Sequence, residues 1–272
     1  MKTHWLLMVV INFCSCAWAG EPVATPPAQS AAPGTNVTSS LPPDKTPMAT
    51  TRPSEHNVKR HLKNLERVKL GGIDLLFLGD SITYGWGTNA VWQQYYAPLN
   101  AANFGISGDD IQNVLWRIQN GELDTNAVKP KVIVLLIGTN NVGSDSTHDI
   151  IEGLRNLVAA IRGKAPESKL LLLGIFPCQQ KRNKWRRQIE DINASIAKVD
   201  AGKMIRFLDL KDTFVNPDGS ISKDLMPDYM HPSTKGYRRW AEAMEPLLAE
   251  MMERPARKPI IAGDRTSAAA LP

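Results

Sequence analysis

Ser81 closes the run Leu75-Leu76-Phe77-Leu78-Gly79-Asp80-Ser81, in which apolar residues stop abruptly at Gly-Asp-Ser. A hydroxyl delivered there, with glycine permitting close backbone approach, is a candidate nucleophile. The plainer alternative is a strand-ending turn in which Asp80 and Ser81 satisfy only local backbone groups. A serine nucleophile needs a base, and Asp228-Tyr229-Met230-His231-Pro232 offers one. An aspartate three residues before a histidine reaches the imidazole from one short loop, fixing its tautomer and stabilising the imidazolium. Among His56, His61, His148 and His231, it is His231 that combines such a carboxylate with a following proline that pins the loop. Gly108, in Asn103-Phe104-Gly105-Ile106-Ser107-Gly108-Asp109, sits where a backbone N–H at a helix start can face an anion, or is simply a turn glycine. Asn140, in Gly138-Thr139-Asn140-Asn141, can donate to a developing oxyanion or cap its loop. Ser107 is a second candidate hydroxyl, but no buried strand aims it as one aims Ser81.

Such residues act together only if a scaffold gathers them, and the hydropathy pattern predicts one. The apolar run before Ser81 is too short and uniform for an amphipathic helix and reads as a buried parallel strand. Residues 100–105, Lys131–Ile137, Leu170–Ile175 and Met204–Leu208 are expected to form four more strands. Between and around them, helical spacing is expected from Glu55 to Gly71-Gly72, where His56, Val58, His61, Leu62, Leu65 and Val68 recur. Further helices are expected around Val91–Tyr96 and over Gly108–Gly121, Thr147–Gly163, Trp185–Val199 and Ser233–Met252. Alternation of this kind implies one parallel sheet covered on both faces, with ligands bound at the carboxyl ends of its strands. Ser81, Gly108, Asn140 and the 228–231 loop each follow a strand end.

The chain has 272 residues, long enough for a sizeable core, and carries 32 basic against 27 acidic side chains, a net charge of +5. Much of the excess lies in Lys181-Arg182-Asn183-Lys184-Trp185-Arg186-Arg187 and around Arg254, Arg257 and Lys258. Without a nucleic-acid motif beside them, such runs read as solvated faces, so no nucleic-acid partner is expected. Residues 1–19 read as a cleaved export signal, with Lys2, an apolar centre from Trp5 to Phe13, and Ala17-Trp18-Ala19 as the small-x-small site. A lipid anchor at Cys16 is the alternative, with Phe13-Cys14-Ser15 a poor match to it. No later stretch is long and apolar enough to span a bilayer, which implies a secreted or periplasmic chain. Cleavage leaves Cys178 alone, without a disulfide partner or a signature that would make it a nucleophile. Residues 20–54 are rich in Pro, Ala, Thr and Ser and read as a disordered linker, 55–253 as one catalytic domain and 254–272 as a flexible tail.

Gly79-Asp80-Ser81, Gly108, Gly138-Thr139-Asn140 and Asp228-x-x-His231 resemble, in order and rough spacing, the four sequence blocks of the SGNH (GDSL) hydrolases. Within that superfamily, the run from Asn103 to Arg117 is similar to the catalytic subunits of intracellular platelet-activating-factor acetylhydrolases. Asn120-Gly121-Glu122-Leu123, followed by Lys129-Pro130-Lys131-Val132-Ile133-Val134, is similar to them as well. The resemblance covers about residues 56–250 and implies a three-layer α/β/α sandwich of flavodoxin type with a five-stranded parallel sheet. It implies Ser81 as nucleophile, His231 as general base and then acid, and Asp228 as its orienting carboxylate. The implied oxyanion hole comprises the backbone N–H groups of Ser81 and Gly108 and the side-chain amide of Asn140. This chemistry needs no metal or organic cofactor. The activity it implies is hydrolysis of short-chain, above all acetyl, esters of a carbohydrate or small lipid, and the resemblance also implies a homodimer. An O-acetyltransferase acting on a glycan and a non-catalytic binding module are the competing readings. Trp86, Trp92, Tyr95 and Tyr96 either stack on a sugar or fill the core.

Overall fold

The computed structural model describes residues 54–257 except residue 125. The expected signal segment, most of the linker and residues 258–272 therefore lie outside the described residues. Among these, the strands are β1 (Leu75–Gly79), β2 (Ala101–Gly105), β3 (Val132–Leu136), β4 (Lys169–Leu173) and β5 (Ile205–Leu208). They form one parallel sheet in the order β2-β1-β3-β4-β5. β1, the strand that precedes Ser81, is thus interior and fully buried along its length. Both of its neighbours also end at the same edge, with Gly79 in register with Gly105 and Leu136.

Alternate strand residues point to opposite faces, so an apolar run buries two surfaces at once. Leu76 and Leu78, Ile133 and Leu135, and Leu170 and Leu172 face α1 (Glu55–Leu70), α4 (Ile111–Arg117), α5 (Thr147–Lys164) and α6 (Lys184–Ile196). Leu75 and Phe77, Val132 and Val134, and Leu171 and Leu173 face α3 (Ala90–Tyr95), α7 (Lys211–Phe214) and α8 (Thr234–Met251). The result is the parallel sheet covered on both faces that the sequence pattern implies, and the three-layer α/β/α sandwich that the family resemblance implies.

Several local expectations are corrected. The helix expected from Gly108 to Gly121 starts only at Ile111, where Asp110 and Asn113 form a reciprocal capping box. It stops as an α-helix at Arg117 and continues as a π-turn to Glu122, with Gly121 at φ 106°. Leu62, counted on the apolar stripe of α1, is 52% exposed, and the buried polar residue beside it is His61. Two short helices went unanticipated: α2 (Ser81–Tyr84) directly after β1, and α7. Trp86, Tyr95 and Tyr96 are wholly enclosed and Trp92 nearly so, packed with Phe77, Tyr237 and Trp240; the choice between sugar platform and core falls to core. Nor are the basic runs uniformly solvated. Arg186 is buried, donating through Nε to the Cys178 carbonyl (3.2 Å). Arg254 pairs with both oxygens of buried Glu245 (2.6 and 2.9 Å), and Arg257 Nη1 reaches the Gln94 and Tyr95 carbonyls (2.6 and 2.7 Å). The first residues of the expected flexible tail are therefore fastened to the domain.

Candidate active site

Ser81 is the first residue of α2, and its neighbour Asp80 caps that helix: Oδ1 accepts from the Ile82 N–H at 2.9 Å. The plain reading of Asp80 as a local backbone partner thus holds for one of its oxygens. The other, Oδ2, is buried without a partner. Burial pushes the Asp80 carboxyl up to about 7, against the opposing pull of the Ile82 N–H and His231. Strand β2 ends so close to α2 that a Cβ on Gly105 would lie 2.2 Å from the Tyr84 nitrogen, so only glycine fits there.

The 228–231 loop is built locally. Asp228 Oδ1 accepts from the N–H groups of Met230 (3.0 Å) and His231 (2.7 Å), and Oδ2 lies 2.6 Å from His231 Nδ1. Partial burial raises the Asp228 pKa, but the His231 N–H, the imidazole and the Met230 N–H together bring it below its ordinary value. Pro232 is buried, and Ser233 caps α8 by accepting from the Gly236 N–H (3.1 Å). From the same helix, the Tyr237 hydroxyl donates to the Ile82 carbonyl at 2.7 Å, tying α8 to α2 across 155 positions of sequence.

These two constructions meet: Ser81 Oγ lies 2.8 Å from His231 Nε2. With the Nδ1 proton donated to Asp228, Nε2 is left as the acceptor for the serine hydroxyl, an arrangement able to activate it for attack on carbonyl carbon. Gly108 has φ 80°, a backbone that favours glycine. Asn140 is exposed, and one N–H of its amide donates to the Asp109 carbonyl at 2.7 Å, leaving its second N–H unengaged by that bond. The loop carrying Asn140 is held by Asn141, which accepts from the Ile111 N–H (3.1 Å) and donates to Gln112 (2.9 Å) and Asp145 (2.7 Å). Ser107 and Cys178 take no part in the Ser81–His231–Asp228 line; burial raises the Cys178 thiol, with Arg186 opposing.

The sequence model of the GDSL-like lipase/acylhydrolase family matches residues 77–239. The chain is 35% identical over 182 residues to platelet-activating factor acetylhydrolase IB subunit alpha2 of Rattus norvegicus, covering 66% of this chain and 78% of that one. To subunit alpha1 of Homo sapiens it is 34% identical over 180 residues (66% and 77%). The chain belongs to the GDSL-like lipase/acylhydrolase family. It is a carboxylic ester hydrolase. Its fold is shared with a GDSL-like lipase from Bacteroides thetaiotaomicron (TM-score 0.58, 17% identity, covering 71% of this chain and 97% of that one). It is shared too with Axe2, an acetylxylan esterase from Geobacillus stearothermophilus (TM-score 0.51, 20% identity, 69% and 98%). Among the described residues no helix is long and apolar enough to cross a membrane.

What sequence reasoning missed is the buried polar group behind this edge. Asp109, Arg117 and Glu122 are wholly enclosed, and His61 and Asn64 nearly so. A signal for it existed. Arg117 lies three residues after Val114 on a helix whose Val114, Leu115 and Ile118 are buried, so its charge falls on the apolar side.

Proposed function

We propose that this hydrolase is an exported serine esterase that removes acetyl and other short acyl groups from carbohydrate or small lipid esters through an acyl-enzyme on Ser81. The observation that carries the reading is the hydrogen-bonded line Ser81–His231–Asp228, with 2.8 Å and 2.6 Å steps. In this mechanism His231 Nε2 takes the Ser81 proton as Oγ attacks the ester carbonyl. The tetrahedral oxyanion is met by the N–H groups of Ser81 and Gly108 and by the second N–H of Asn140. His231 then protonates the leaving alcohol, and water repeats the sequence to free the acid. The acyl preference is supported by the names of similar proteins, an acetylhydrolase and an acetylxylan esterase, which share the acetyl ester while differing in the alcohol. Export is supported by the composition of residues 1–19.

The test is an acetate-release screen of the purified protein across acetylated xylan, acetylated monosaccharides and short-chain phospholipids, with p-nitrophenyl acetate and octanoate as reference esters. The expected result is acetate release from at least one natural class and a kcat/KM for the acetate reference at least about tenfold above octanoate. Preference for octanoate would overturn the short-acyl reading.

A further inference from the structure

Behind the three proposed oxyanion donors lies a guanidinium that no chemical step uses. Arg117 is fully buried, and every N–H group whose bond is resolved points at the carboxyl edge of the sheet or at an acid beside it. Nε donates to Asp109 Oδ2 at 2.7 Å, Nη1 to the Phe104 carbonyl at 3.0 Å and to the Glu122 carboxylate, and Nη2 to the Gly79 carbonyl at 3.3 Å. The two acids are held in turn by other side chains. Glu122 Oε1 is 2.9 Å from both His61 Nδ1 and Asn64 Nδ2, and Asp109 Oδ1 accepts from Asn57 Nδ2 at 3.3 Å. Helix α1 thereby braces the cluster from outside.

The landing points of these bonds matter more than their number. Gly79 lies two residues before Ser81, and Asp109 directly follows Gly108. The Asp109 carbonyl orients the Asn140 amide. A single planar fork therefore connects, within two residues each, the supports of all three donors. The ends of β1 and β2 already pair through the sheet, so holding the fold does not require a charge here. An aliphatic side chain would fill the space without the cost of burying an ion.

We infer that Arg117 is a positioning residue of the oxyanion hole: its guanidinium sets the spacing between the Gly79–Ser81 strand end and the Gly108–Asp109 turn, and through Asp109 it aims Asn140. This rests on the assignment of Ser81 and the three donors above. Preorganised donors act through their placement, and displacements well below a bond length are felt in the rate. Lysine, a point charge without the fork, cannot reproduce four directed bonds to two carbonyls and two carboxylates.

The experiment compares the wild-type full chain with Arg117→Lys and Asp109→Asn, with Ser81→Ala as control. It measures kcat and KM on p-nitrophenyl acetate, the inhibition constant of phenyl trifluoromethyl ketone, which forms a tetrahedral oxyanion on the serine, and thermal melting. Assays are run well below each variant's melting temperature. For Arg117→Lys the expected result is a kcat and a ketone affinity both lowered by roughly 10–100-fold, with KM changed less than about threefold. Asp109→Asn should show a smaller parallel loss, about tenfold, and it carries the test if the lysine variant does not fold. A folded variant that melts earlier yet keeps kcat and ketone affinity within about twofold of wild type would make the cluster structural cement and overturn the inference. Wild-type protein that forms no ketone adduct would instead bring down the Ser81 assignment, and the inference with it.

Discussion

Ser81 stands between two regions built on opposite plans. On one side, the Asp228–His231 arm is made from residues three apart in a loop, with the Asp228 and His231 side chains 56% and 42% exposed. On the other, the Gly79–Ser81 and Gly108–Asp109 segments rest on an enclosed cluster drawn from α1, α4 and the π-turn after it. The two aspartates that flank the serine carry the contrast in their chemistry. Asp228 accepts two backbone N–H bonds and faces the imidazole, and sits below its ordinary pKa. Asp80 accepts one backbone bond in full burial, and is pushed up to about 7. A local, solvent-facing arm suits the proton shuttle, which moves the Ser81 proton to the leaving alcohol and the attacking water's proton back to Ser81. An enclosed, long-range frame behind the donors suits groups whose effect depends on being held in place before charge develops.

Four variants break or sharpen this contrast, ordered by expected effect. Ser81→Ala removes the nucleophile both regions serve, and ester hydrolysis should fall at least about 10⁴-fold, with labelling by a fluorophosphonate probe lost; residual labelling would move the nucleophile elsewhere. Asn140→Ala takes one donor from the side braced by the enclosed cluster while its loop stays anchored by Asn141. The expected loss is roughly 10²–10³-fold in kcat, about 2.7–4 kcal/mol of barrier, with an unchanged far-UV spectrum. Asp228→Asn strikes the exposed arm, where water can partly replace the lost charge. Steady-state rates should drop about 10²-fold, short of the ~10⁴ known for an enclosed triad carboxylate, and a loss as deep as that would mean the loop is closed over in turnover.

Asp80→Asn should act on stability, and its sign is opposite to that of a paired acid. The folded pKa of about 7 lies above the ordinary carboxyl value of 3.8, so between these values the folded state binds more protons than the unfolded one. Stability is thus lost as pH rises through that window, and above pH ~7 the native state carries the penalty of a buried charge. Asparagine keeps the oxygen that caps α2 and removes the charge. Its melting temperature should exceed that of wild type at pH 8.5 by several degrees and by much less at pH 5, as read by circular dichroism. Equal differences at both values would show that Asp80 does not titrate in that window.

Much of the outline was legible because its signals are local. Uniform apolar runs ending in glycine or polar residues located the strands, and the Asp228-x-x-His231 spacing located the arm, since three residues suffice to close that bond. Boundaries failed where tertiary contacts override periodicity. The stripe Ile111, Val114, Leu115, Ile118 continues past Arg117, but Glu122 is drawn back to the guanidinium and the chain leaves the α-helix as a π-turn at Ile118. Likewise, Trp86 and Tyr96 were ambiguous as residue types, because an aromatic ring suits a sugar and a core equally well; only their enclosure against Trp240 and Phe77 decides it.

By itself, then, the amino-acid order determined the alternation of strands and helices, the serine at a strand end, and a histidine with its own carboxylate. Those follow from hydropathy period and short-range spacing, which any stretch of chain carries within itself. Tertiary structure decided that Ser81 and His231, 150 positions apart, lie within hydrogen-bond distance. It also decided that a charge on the apolar side of α4 would be neutralised by two acids from different elements. No local rule foretells such meetings, because whether a buried ion is tolerated depends on partners that only the closed sheet and its packed helices bring to it.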